Sequence, residues 1–285
     1  MQMRRTKRLG VAAQPNMSAA LRYARALSEF SEKIGREARQ EIMKLVSTKS
    51  IKDELARREK LALDEKPATP EAKLKILIQR LKDTFLKFAD TQIEKVIPKM
   101  ISEQLRASHF SVTKSIEKMT GGLTIKSTRQ EQGLEDVIRL AAKENVALIK
   151  SLPVEMLDKM EKIVADAFLS GSGTPEIHRF LLENLTGEEA SVKRRAYLIA
   201  NDQSRKIFQA INVKKFKDLG VKKFVWRHVP GSMYPRIMHQ ELNGKTFSFD
   251  DPPIIDKKGT RGFPAQLPNC RCIMTPVWEF DLPNE

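Results

Sequence analysis

The stretch "GVKKFVWRHV", residues 220–229, is where this chain changes character. Upstream of it, apolar residues recur every three to four positions, the spacing that lines one face of a helix. Within it, Phe224, Trp226 and His228 alternate with Val225 and Arg227, the period of two that a strand requires. Gly220 stands at the junction, and glycine accepts the left-handed backbone on which helices commonly end. Downstream, Pro, Gly, Asn and Asp become frequent, in "VPGSMYP" (229–235), "LNGKTFSFDDPP" (242–253) and "KKGTRGFPAQLPNC" (257–270). Asn243-Gly244 ahead of "KTFSF" is a tight-turn pair. The expected fold class is a mainly α N-terminal region of long helices, followed by a small α+β C-terminal domain with short antiparallel strands.

The upstream part divides by its breakers. Residues 1–16 read as a flexible basic N-terminus, 17–186 as a helical region, and 187–285 as a C-terminal domain of one long helix plus a turn-rich module. A first helix is expected over 17–62. Two prolines in "DEKPATPEAK" (64–73) mark a linker or turn. Thr69, Pro70 and Glu71 then supply a cap, a first-turn proline and a first-turn acid. Leu74, Ile78, Leu81, Phe85, Phe88, Ile93, Val96 and Met100 form one apolar stripe, which Pro98 is expected to kink or break. "TGGLT" (120–124) is a stop. Two or three shorter helices are expected within 132–186, punctuated by "SLP" (151–153), with a new start at Thr174-Pro175-Glu176. Residues 187–219 read as a last long helix.

The chain has 285 residues and a formal net charge of +15, which favours polyanions or acidic protein surfaces as partners. No apolar run approaches the roughly 18–20 residues of a membrane span, and no apolar core follows the basic start, so neither a membrane nor a signal sequence is expected. The basic clusters are Arg4, Arg5, Lys7 and Arg8; Lys193, Arg194 and Arg195; and Lys214, Lys215, Lys217, Lys222 and Lys223. Aromatic residues do not interleave with them, which argues against a platform for stacking single-stranded bases. Contact with DNA phosphates and a solvated helix face are equal readings of these clusters.

Both cysteines lie in "LPNCRC" (267–272). On an extended backbone Cys270 and Cys272 share one face, and Arg271 takes the other. Four readings compete. A metal would need two more ligands, from His239 and His228 or from Asp250 and Asp251, and the spacing is tighter than that of usual zinc knuckles. A disulfide across this gap is strained. A catalytic thiol would need a base such as His239. The favoured reading is a pair of small buried side chains that close a compact fold, with no cofactor and zinc as the alternative. His239, with Asn243 and Asn269, is expected to pin loops together. No nucleotide-binding glycine loop, serine-hydrolase elbow or zinc-protease motif is present, and no catalytic residue is assigned.

The order of these C-terminal motifs resembles the Mu F-type phage head morphogenesis family of minor head proteins. The resemblance rests on Trp226 in a strand, Pro235 and His239 in P-x-x-x-H, and Leu242, Gly244 and Phe247 in L-x-G-x-x-F. It continues through Pro252 and Pro253 to Pro268, Asn269, Cys270, Arg271 and Cys272, and closes at Pro276. It covers residues 190–278. Three departures stand out: Asn201-Asp202-Gln203 where an Arg-Thr-Glu-like triplet is usual, Leu267 where histidine is frequent, and "GSMY" (231–234) where acidic and basic groups are common. They count against an intact metal or catalytic site. The resemblance implies a non-enzymatic structural protein of a phage or phage-like particle, made in the host bacterial cytoplasm and carried in the virion, in the capsid interior or at the portal vertex. It implies the portal protein and other head proteins as partners, with double-stranded DNA as a further contact. The alternatives are a sequence-nonspecific DNA-binding protein, and a metal-dependent hydrolase or toxin-like enzyme built on His239, Asp250, Cys270 and Cys272.

Overall fold

The computed structural model describes residues 3–48, 69–122, 134–170, 174–231 and 235–283. The elements run β1 (Met3–Leu9), α1 (Met17–Val46), α2 (Pro70–Thr120), α3 (Leu134–Leu169), α4 (Thr174–Asp218), β2 (Lys223–Arg227), α5 (Ile237–Glu241), β3 (Thr246–Ser248) and β4 (Ile273–Pro283). Long helices precede a small region of short strands and one short helix, as the periodicity indicates. The part of the first expected helix beyond residue 48 lies outside the described residues.

The chain forms two compact units that interleave along the sequence. One comprises Met1–Arg22, Ile97–Glu144 and Ala200–Glu285; the other comprises Tyr23–Val96 and Asn145–Ile199. The boundaries between these units fall inside the long helices.

The second unit is helical. Leu27, Phe30, Ile34 and Ile42 of α1, Leu74, Ile78 and Phe85 of α2, and Leu157, Met160 and Val164 of α3 are buried at helical spacing. Ala89 is buried where Phe88 was expected, and Phe88 is half-buried with its ring 5.5 Å from that of Phe30. Tyr23 donates its hydroxyl to Asn145 Oδ1 at 2.9 Å, and burial raises its pKa. Ion pairs join Lys150 to Asp90 at 2.6 Å and Lys193 to Glu32 at 3.0 Å on the surface.

The first unit holds the four-stranded antiparallel sheet, in the order β1-β4-β2-β3. Its core joins Val112 and Ile116 of α2 and Phe216 of α4 to Phe224, Trp226, Phe249, Ile255 and Met274. Phe224 is the hub of an aromatic cluster, with ring centroids 5.0 Å from Phe249, 5.6 Å from Phe263 and 6.0 Å from Phe247. Both faces of β2 are covered, so its burial is continuous through Phe224, Val225 and Trp226 instead of alternating.

Several local signals act as expected. Thr69 Oγ1 accepts the Ala72 N–H at 3.2 Å, which caps α2. Gly220 has φ 76°, and the N–H groups of Gly220 and Val221 bond back to Lys217 and Phe216, which closes α4. The helix α2 stops at Thr120, and Gly121 and Gly122 follow with positive φ.

Others are corrected. Residues 3–9, read as part of a flexible lead, form the edge strand β1, in register from Met3 opposite Pro283 to Leu9 opposite Val277. The reason is tertiary: β4 is unpaired on that side without it, and the ladder satisfies both backbones. Gly10 then passes so close that a Cβ there would meet Ser115 Oγ at 2.1 Å. Pro98 does not break α2. It lies on the exposed face, where water can take the carbonyl it leaves unbonded, while Ile93, Ile97, Met100 and Ile101 carry the buried stripe past it. Pro153 likewise lies within α3, so residues 134–169 form one helix instead of shorter pieces. The last helix begins at Thr174 and runs through residue 187. One helical glycine costs about 1 kcal/mol, too little to stop a long packed helix.

Deleting residues 1–9 is expected to lower the thermal midpoint by several degrees, at about 2–4 °C for each kcal/mol lost. Scanning calorimetry checks this, and an unchanged midpoint would mean that β1 is dispensable.

Candidate functional site

The sheet brings together residues from three places. β2 ends at Arg227, so His228 is the first residue beyond it, and its N–H bonds to Asn243 Oδ1 at 3.0 Å. The chain then crosses to α5, which carries His239. Gly244, with φ 79°, turns it back toward β3, and the pair Gly244 N–Trp226 O and Trp226 N–Lys245 O fixes that return. Finally Cys270 and Cys272 enter β4 after the turn at Asn269, whose φ is 58°. Leu242 at the end of α5 and Phe247 of β3 pack partly buried against the core, and Pro235 and Pro268 are exposed.

Cys270 and Cys272 are both free and only 3% exposed, and His239 is equally buried. His239 Nδ1 stands 3.4 Å from Cys270 Sγ and 3.8 Å from Cys272 Sγ. Its other nitrogen, Nε2, lies 3.0 Å from the Ile255 carbonyl. A carbonyl only accepts, so Nε2 carries the proton and Nδ1 offers its lone pair to the sulfurs. His228 Nδ1 reaches Cys272 Sγ at 3.7 Å from the half-buried rim. The donor atoms of His239, Cys270 and Cys272 lie within 4.8 Å of one another, beside a cavity of about 20 Å³. These residues have the types and the spacing to hold one metal ion. Asp250 and Asp251 are not part of the cluster: they pair with Lys217 at 3.0 Å and Arg261 at 2.6 Å.

The electrostatics favour negative charge on Cys270 and oppose it on Cys272. The Cys272 thiol and the Cys272 N–H donate to Cys270 and draw its thiol well below its ordinary pKa, against the effect of burial. The same contact, reinforced by burial, pushes Cys272 up. The Val229 N–H also points to Cys272 sulfur. So does the indole of Trp226, whose buried Nε1–H has no hydrogen-bond partner of normal geometry. The Trp226 ring meets His239 edge-on, with centroids 5.2 Å apart.

The expected loop-pinning roles are individual and do not form one network. His239 holds Ile255, Asn243 holds His228, and the Asn269 N–H bonds to Asp202 Oδ1 at 2.6 Å. Arg271 points away from the sulfurs and donates to the Gly231 carbonyl at 2.6 Å, while Ser232–Tyr234 lie outside the described residues. Asp202, read in the sequence only as a departure, is thus a structural contact. Lys206 pairs with it at 3.2 Å and with Glu144 at 2.7 Å. Burial raises the Asp202 pKa, and Lys206 and the Asn269 N–H offset only part of that. The available signal was the acid four residues before a lysine on one helix.

The basic clusters are neutralised in part. Lys193 pairs with Glu32, Arg195 with Glu155, Lys214 with Asp218, Lys217 with Asp250 and Lys223 with Glu279. Lys215, expected as a phosphate contact, is only 4% exposed because it lies on the packed face of α4, and so it cannot take that role from the surface. Lys7, Arg8, Arg194 and Lys222 are exposed, and the side chains of Arg4 and Arg5 lie outside the described residues.

Residues 158–275 match the family described as "Phage Mu protein F like protein". The match begins in α3, upstream of the motifs that carried the resemblance, and ends in β4. A 189-residue stretch is 26% identical to an uncharacterized protein of Haemophilus influenzae, covering 66% of this chain and 40% of that protein. The chain therefore spans less than half the length of that relative. No solved structure matches the chain.

Replacing Asp202 with alanine leaves the Asn269 N–H and Lys206 each short of a partner, an expected loss of about 1–3 kcal/mol in urea unfolding. Asp202→Asn keeps an acceptor for the N–H and is expected to lose less. Equal losses would assign the role to the charge on Asp202.

Proposed function

We propose that this protein is a structural component of a phage or phage-like head, acting in head morphogenesis at or near the portal vertex. One observation carries the reading: the Mu F-like match over residues 158–275 includes β2, α5, β3 and the Cys–His cluster. The portal protein and other head proteins are its partners, and its place is the virion, after synthesis in the host bacterial cytoplasm. The protein is not an enzyme in this reading; its C-terminal module serves to fold and to dock. No described helix is long and apolar enough to cross a membrane, in keeping with partners that are proteins and nucleic acid.

Packaged DNA is a neighbour and not the main ligand. The net charge of +15 supports proximity to phosphate, but among the described residues several of the clustered cations, Lys193, Lys214 and Lys217 among them, are held in ion pairs. A protein that lived by nonspecific DNA binding would be expected to gather its free cations in one stripe.

Produced together with the portal and major head proteins of its own genetic element, the protein is expected to cosediment with assembled heads and to crosslink to the portal. Normal heads that lack it, with the protein left in the supernatant, would overturn the assignment. DNA affinity is expected to be weak and steeply salt-dependent between 50 and 200 mM salt, and Lys222→Ala and Arg194→Ala should each lower the log–log slope by about 0.9 if the residue meets a phosphate. An affinity unaffected by salt would remove DNA as a neighbour.

A further inference from the structure

We propose that His228, His239, Cys270 and Cys272 form a structural zinc site that ties the end of β2, the helix α5 and the start of β4 into one knot. In a tetrahedral zinc site with two sulfur and two nitrogen ligands, ordinary bond lengths put ligand atoms about 3.5–3.8 Å from one another. The distances from His239 Nδ1 to the two sulfurs, 3.4 and 3.8 Å, and from His228 Nδ1 to Cys272, 3.7 Å, match that edge length. The donor atoms of His239, Cys270 and Cys272 lie within 4.8 Å of one another, and these residues line one small cavity together with His228.

The surroundings are those of a metal–thiolate centre. The Nε2–H of His239 is held by the Ile255 carbonyl, which fixes the ring with Nδ1 inward, as outer partners of ligating histidines commonly do. The Trp226 ring meets His239 edge-on, with centroids 5.2 Å apart, and walls the cluster on the side of the core. The Trp226 indole N–H is buried beside the cluster without a hydrogen-bond partner. The cavity of about 20 Å³ has room for one ion. A mixed sulfur and imidazole donor set selects zinc over the hard cations.

His228 completes the set from the rim. It touches Cys272 but stands outside the tight group of three, so ligation requires its half-buried ring to turn inward. With four protein ligands no position remains for a reacting water, so the site is structural and not hydrolytic. Binding expels the two thiol protons to solvent, and both histidines ligate as neutral rings.

The test is zinc content and affinity of the full chain, purified without chelator. About one zinc per chain is expected, with cobalt replacing it to give tetrahedral visible bands and a thiolate charge-transfer band in the near ultraviolet. The variant Cys270→Ser/Cys272→Ser is expected to lose the zinc. His228→Ala should bind it at least roughly tenfold more weakly, the scale on which even outer partners act. Failure of the wild-type chain, stripped and refilled, to take up zinc or cobalt stoichiometrically would overturn the proposal, whatever the cysteine variant does to folding. Stoichiometric zinc without the thiolate band would place the ion elsewhere and overturn it too. Unchanged affinity in His228→Ala would overturn the four-ligand assignment.

Discussion

The first unit depends on pairing β4 along both its edges. β4 takes β2 along its first half, Ile273–Val277, and β1 along its second, Val277–Pro283, so each half of its ladder finds a partner strand. That requirement draws residues 3–9 across the whole sequence to residues 277–283. It also decides where the two cysteines stand, because Cys272 is the last residue before β4 begins and Met274 is opposite Trp226. The positions of Trp226, His239 and Cys270 relative to one another follow from register, and register follows from β4.

The side chains beneath the sheet enforce the same arrangement. Ser115 accepts the Val11 N–H at 2.9 Å and lies 3.4 Å from the Trp278 indole N–H, so one hydroxyl on α2 meets the chain on either side of the β1–β4 edge. Gln104 exchanges two hydrogen bonds with the Asn16 backbone, each 3.1 Å. Ser108 donates to Asn212 at 2.8 Å, joining α2 to α4. These buried polar contacts are directional, and they admit one registration of the helices beneath the strands where a purely apolar interface would admit several.

Local signals in the sequence were legible where the physics is local. Thr69, Gly220 and Asn243-Gly244 act through a few neighbouring backbone groups, and their consequences were readable without knowing the fold. Pro98 and Pro153 misled because their cost depends on what covers the helix at that point, and that is settled by packing. The strand at residues 3–9 was illegible for a related reason: its seven residues are mostly charged, and only the distant partner β4 makes them a strand. The cysteine pair was legible as two side chains on one face with His239 and His228 among its possible partners, but the sequence could not choose these from Asp250 and Asp251, because His239 lies 31 residues upstream of Cys270 and only the fold brings it there. Asp202 was missed because the helix hides its partner: the Asn269 N–H is 67 residues away in sequence.

The interleaving of the two units sets an order of events during synthesis. The ribosome releases every residue of the helical unit by position 199, while the sheet unit still waits for its central strand at 273–283. The helical unit can therefore collapse first, with two segments of the sheet unit, residues 1–22 and 97–144, already made but unpartnered. Until β4 emerges, β1 has no edge to join and Phe224 no complete core to enter. The nascent chain thus passes through an interval in which a basic strand and a half-built apolar face are both open to solvent. An acidic chaperone surface, or rapid elongation through the last eighty residues or so, would shorten that exposure.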